Sequence, residues 1–164
     1  AERLGVPLHL VEIPQACPNH VYEARMTEAL SAALDDDVER MAFGDLFLED
    51  VRAYREASLA GTGVAPVFPL WSEPTDRLAH EMLDAGVRAV ITCVDPRVLP
   101  GEFAGRDFDE ELLADLPHGV DPCGERGEFH TFVWNSPDFE TPIEVSRGDI
   151  VERDGFVFCD VVPA

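Results

Sequence analysis

Apolar positions recur at helical spacing over residues 21–34 (Val21, Met26, Ala29, Leu30, Ala33) and fill most of a strand-like run at 87–94, with turn residues between. Residues 1–5 read as the last turn of a helix closed by Gly5, and 7–13 as a strand in which Leu8 and Leu10 flank His9. Asn19 is the expected N-cap of the 21–34 helix, which the Asp35-Asp36-Asp37 triplet ends. A short strand at 39–43 runs into Gly44-Asp45, a helix at 48–60 is closed by Gly61 and Gly63, and 65–70, 75–85 and 87–94 continue as strand, helix and strand. Such alternation predicts a largely parallel sheet with right-handed crossovers.

After Asp95 the texture changes. Pro96, Pro100, Gly101 and Gly105 mark an irregular connection, a short acidic helix is expected within 108–116, and strands follow at 129–134, 143–146, 150–153 and 156–162. Asp154-Gly155 is a strong two-residue hairpin signal. The expected architecture is therefore an α/β domain over 1–95 followed by a smaller α+β domain with antiparallel strands over 96–164. No repeat or low-complexity segment is visible.

Charge narrows the function classes. The 33 acidic residues against 12 arginines, with no lysine, give a formal net charge of −21 among 164 residues. A broad nucleic-acid-binding face is excluded on that balance, and no apolar run reaches the roughly 20 residues that span a bilayer. A cytoplasmic protein is expected, with a high-salt interior or a lysine-avoiding genome as the two sources of the acidity. Cys17, Cys93, Cys123 and Cys159 have no zinc-type spacing, so reduced thiols and no metal site are expected.

Chemistry concentrates in 121–133, Asp-Pro-Cys-Gly-Glu-Arg-Gly-Glu-Phe-His-Thr-Phe-Val. Gly124 and Gly127 permit positive φ and close backbone approach, and the apolar run from Phe129 anchors the loop on a strand. The alternative is a solvated hairpin. Gly44-Asp45 ends a strand ahead of a helix, where α/β sheets bind ligands; Asp45 and Arg52 could meet a nucleotide, or Asp45 could simply cap the helix while Glu49, Asp50, Arg52, Arg55 and Glu56 form surface pairs.

Three ordered segments, 43–56, Pro66-Val67-Phe68-Pro69-Leu70-Trp71 and the 121–132 loop, together resemble the diphthine–ammonia ligase family of PP-loop ATP pyrophosphatases, in the adenine nucleotide alpha hydrolase-like superfamily. The resemblance implies an incomplete Rossmann-like (HUP-type) parallel sheet, ATP with Mg2+ as cofactor, and adenylation of a carbonyl oxygen before ammonia displaces AMP. It places Gly44, Asp45 and Arg52 on the nucleotide side. Asp121, Cys123, Gly124, Glu125, Gly127 and Thr131 would line the side that holds a small-molecule or protein-borne acceptor, with Glu128 or His130 as general base. A homo-oligomer is compatible with this reading.

Two departures matter. The family's first strand and SGGKDS-like phosphate loop have no counterpart here, and Arg126 stands where the family loop usually carries Asn, exchanging an acceptor for a donor. The competing readings are a non-catalytic ligand-binding module without ATP hydrolysis and a thiol hydrolase built on Cys123 and His130.

Overall fold

The computed structural model describes residues 1–164 and divides the chain into two compact units, Pro7–Ser72 and Ala1–Val6 with Glu73–Ala164. In Pro7–Ser72, helix α1 (Asn19–Asp35) turns Leu30 inward with Met26 beside it. Pro18 rather than Asn19 occupies its N-cap, and no side chain closes it. Asp37 ends the helix at φ 59°, a left-handed conformation that the short Asp side chain tolerates. Strand β1 (Arg40–Ala42) and strand β2 (Ala65–Val67), joined through helix α2 (Glu49–Leu59), pair in parallel with Met41 opposite Pro66. Their core is small: Leu30, Leu59 and Val64, with Met41 and Phe43 packed against them.

Residues 7–13 correct the expected strand. They form no regular element, and Leu10 is 81% exposed. Alternation makes a segment able to be a strand, but pairing makes it one, and no neighbour supplies the ladder here.

The second unit opens with a 3-10 turn at Glu2–Leu4, closed by left-handed Gly5 as its position predicts. Arg3 pins it: its carbonyl accepts from Glu140 N at 2.8 Å, and its Nη1 donates to Thr141 Oγ1 at 2.8 Å. Helix α3 (Thr75–Asp84) leads to strand β3 (Arg88–Val94) and, through a 3-10 turn at Gly101–Phe103, to the two-residue strand β4 (Asp107–Phe108). Helix α4 (Glu110–Asp115) is capped by Asp109, whose side chain accepts from Leu112 N at 2.8 Å. Strands β5 (Phe129–Asn135), β6 (Val145–Arg153) and β7 (Phe156–Pro163) complete a five-stranded sheet.

All pairings of this sheet are antiparallel. Strand β3 therefore departs from the parallel alternation read for the first half. It pairs with β5 along one edge, and with β4 and β7 too, because hydrophobic periodicity identifies a strand but carries no pairing direction. The two strands expected at 143–146 and 150–153 are one strand with an irregularity between Arg147 and Ile150. The β6–β7 hairpin forms at Asp154-Gly155, with φ of 54° and 81°, both positive as a tight two-residue turn requires. One sheet face packs Ile91, Val94, Phe129 and Cys159 with Phe103, Phe108, Leu99 and Leu112 to make the main core.

Candidate functional site

The three buried charged residues, Asp95, Asp121 and Glu128, are linked through backbone and side-chain hydrogen bonds where the 121–128 loop joins β5 at the end of β3. Glu128 is 4% exposed and spans the loop. Its Oε1 accepts from Asp121 N at 3.0 Å and its Oε2 from Arg126 N at 2.9 Å, while its own carbonyl accepts from Asp95 N at 2.9 Å. Asp121 Oδ2 accepts from Glu125 N at 2.9 Å. Two tight turns fill the interval, Gly124 N to Asp121 O and Gly127 N to Gly124 O, each 2.9 Å. The loop's amides thus point inward onto the chain's own carboxylates, which act as internal anions in a nest of N–H groups.

Asp95, read from the sequence only as the residue that ends a strand, is bound at both oxygens by the Arg97 guanidinium, at 2.8 and 2.6 Å, and by Arg97 N at 3.0 Å. These hydrogen bonds, side chain first, hold its carboxyl below the usual range. Its partner Arg two positions on was the available signal, because an Asp-Pro-Arg turn at a strand end lets the guanidinium fold back onto the carboxylate.

Gly124 and Gly127 both take positive φ, 68° and 82°, as the sequence predicts. They differ in surroundings. A Cβ on Gly124 would lie 2.8 Å from the Phe129 carbonyl oxygen, whereas one on Gly127 would meet nothing within 4 Å. Cys123 is half-buried against the main core and its thiol donates to Thr75 O at 3.4 Å. Burial, then the carboxylates of Asp121 and Glu125, push that thiol up to about 12. A thiol so held is a poor nucleophile, which counts against the thiol-hydrolase reading. Burial also raises the thiols of Cys93 and Cys159. Iodoacetamide at pH 8 is accordingly expected to alkylate Cys17 in the folded protein, with Cys123 markedly slower, and all four cysteines in urea. Peptide mapping after timed labelling reads this directly; native modification of Cys123 at the pace of Cys17 contradicts the geometry.

What the loop presents outward is different. His130 and Thr131, the first exposed residues after the carboxylate brace, lie on β5. His130 pairs across the sheet with Cys93 at a register shift in β3, where Thr92 Oγ1 donates to His130 O at 3.3 Å. The imidazole borders an open groove of about 530 Å³ shared with Thr92, Phe156, Phe158 and Asp160. Arg126 reaches back, 3.6 Å from Glu128 Oε1 and 3.5 Å from Gly119 O.

In the Pro7–Ser72 unit, Gly44 is exposed just past β1, with open space where a Cβ would stand. Asp45 does not cap α2, whose N-cap is Leu48. It faces Arg55 instead, Oδ2 to Nε at 3.7 Å, beyond hydrogen-bond reach, and both atoms are buried without a hydrogen-bond partner. Arg52 does make the expected surface pair, with Glu56 at 2.8 Å. Its guanidinium also lies over two rings that meet edge to face, 4.8 Å from the Phe68 centroid and 4.7 Å from Trp71. Phe43 stacks on Phe68 at 5.5 Å and takes Arg55 at 5.0 Å, so arginines and aromatic rings alternate beside the tip of the parallel pair. Sequence reasoning singled out Asp45 and Arg52 but not this stack. No three His, Cys, Asp or Glu side chains converge as a metal cluster, and no helix is long and apolar enough to cross a membrane.

Fold and loop together define a mixed α/β protein whose antiparallel sheet carries a glycine loop braced by buried carboxylates. The chain belongs to the diphthamide synthase C-terminal domain family, whose profile matches residues 74–161, more than half of its length. Among curated relatives it is 28% identical over 131 residues to the diphthine–ammonia ligase of Bos taurus, an alignment covering 77% of this chain and 49% of that protein. The Homo sapiens diphthine–ammonia ligase matches to the same extent, and that of Schizosaccharomyces pombe is 24% identical over 75% of this chain and 21% of its own length. The chain thus spans about half the length of the mammalian relatives it matches.

Proposed function

We propose that this chain carries the acceptor side of an ATP-dependent amide-forming ligase, with Pro7–Ser72 as part of a Rossmann-like nucleotide-binding domain. The observation that carries the reading is the 74–161 match, which contains the whole carboxylate-braced loop and the exposed His130 beside it. Both Glu128 oxygens are committed to loop amides, so in this reading Glu128 holds the loop and His130 handles protons, taking one from the incoming ammonia. Thr131, Glu125 and the backbone at Gly124 and Gly127 bound the acceptor pocket. Asp121 and Cys123 hold the loop from within, through Glu125 N and Thr75 O.

The residues on the nucleotide side fit a base and a ribose better than a triphosphate. Gly44 leaves room for close approach, Asp45 offers a carboxylate, and Arg52 lies against the edge-to-face rings of Phe68 and Trp71, a polarisable surface. Around phosphates the same residues are poor: α2 opens with Glu49 and Asp50, and Arg52 and Arg55 already face Glu56 and Asp45. When bound, ATP with Mg2+ would activate the acceptor oxygen as an adenylate. This deficit is what favours the second reading, a ligand-binding module without ATP hydrolysis.

The test is AMP formation from Mg-ATP, dependent on ammonium and acceptor, in this chain and in any longer product its gene encodes. His130→Ala is expected to lower the rate about 100-fold or more while the exposed position leaves the unfolding midpoint in place. An unchanged rate removes His130 from the mechanism, and binding of acceptor without AMP formation in either polypeptide selects the module.

A further inference from the structure

Strand β5 begins two residues after the loop's last glycine, pairs with β3 along one side, and pairs with no strand along the other. Its far end is closed, because Ile143 N donates to Trp134 O at 2.7 Å, so the open backbone is confined to residues 130–133 beside the braced loop. Exposed edges are ordinarily blunted by charge, proline or a covering element. Here Phe-His-Thr-Phe-Val-Trp-Asn, in a chain with 27% charged residues, holds neither a charge nor a proline. Adjacent strand residues alternate their N–H and C=O directions, so half of the 130–133 amides and carbonyls are aimed outward.

We infer that this edge receives an extended, cationic polypeptide segment by strand addition, laying one of its side chains across His130 toward the Thr92 side of the groove. Charge decides between the two occupants an edge can take. A second copy would bring −21 against −21 and set Asp138 and Glu140, which follow β5, near the acidic loop of its twin. A basic segment meets a chain of the opposite net sign, with Asp160 lining the groove and Arg97 and Arg153 held over the Phe156 and Phe158 rings at its far side, and backbone ladder bonds need no particular sequence from it. The loop brace gives the edge its function: with Glu128 and Asp95 fixing the start of β5, the strand enters binding preordered and little entropy is lost. This deepens the ligase reading by giving a protein-borne acceptor its docking edge, and it rests on that reading for the bound segment being an acceptor.

The test needs no ATP, so it stands apart from the enzymatic assay. A blocked five-residue peptide alternating lysine and valine is titrated into the isotope-labelled chain, beside the same peptide N-methylated at the backbone positions that would donate to β5. The expected result is saturable amide shifts confined to 130–133 and the groove, about tenfold weaker binding on N-methylation, and weakening with salt. Binding indifferent to N-methylation, shifts located elsewhere, or no binding at all overturns strand addition. Concentration-dependent dimers in sedimentation that hide the 130–133 amides overturn it in favour of a second copy.

Discussion

Glu128→Ala is expected to cost about 3–5 kcal/mol of folding stability, because it strands the Asp121 and Arg126 amides and opens a void under the loop. Each orphaned amide accounts for about 1–3 kcal/mol when water cannot reach it, and the bonds lost are charge-assisted. Glu128→Gln separates acceptor chemistry from shape. It keeps the volume and one carbonyl acceptor but turns an NH2 group towards a donor, so a loss of about half the alanine value is expected. Urea unfolding midpoints for the three proteins measure both. A loss under about 1 kcal/mol for the alanine variant would mean that water reaches the loop amides and that the brace is ornamental.

Gly124→Ala is the second large effect, with Gly127→Ala as its internal control. Both positions lie at positive φ, so both lose the left-handed freedom of glycine, at about 1 kcal/mol. At Gly124 the new methyl also presses to 2.8 Å of the Phe129 carbonyl and 3.3 Å of its ring, atoms fixed by the β3–β5 ladder and the main core. Backbone cannot yield as a side-chain tip can, and the total is expected to reach about 3 kcal/mol or more. At Gly127 the methyl enters open space, so the cost stays near about 1 kcal/mol. Equal losses at the two sites would show that the contact with Phe129 relaxes freely.

Much of the fold was legible because it is locally encoded. The helices at Asn19–Asp35, Glu49–Leu59 and Thr75–Asp84 follow from spacing, and the Asp154-Gly155 turn from residues that accept positive φ. What failed required a partner. The 7–13 alternation has no ladder to join, and β3 looks the same in sequence whether its neighbours run with it or against it. The loop was found for its glycines and reactive side chains, yet spacing could not distinguish the carboxylate that faces inward from the imidazole that faces out. Glu128 and His130 are two residues apart, and only the amides around Glu128 separate their roles. Asp95 was passed over because its significance lies in a hydrogen bond to residue 128, which no local pattern announces.

Arg52 is anchored twice, and the two anchors answer ionic strength in opposite ways. Its exposed pair with Glu56 is screened away as salt rises. Its seat on Phe68 and Trp71 relies on dispersion and the ring quadrupoles and is strengthened when salting-out conditions favour burial of weakly hydrated surfaces. The side chain is thereby buffered in position: dilute medium holds it by the carboxylate, concentrated brine by the rings, and the tip of the parallel pair keeps one geometry across the range.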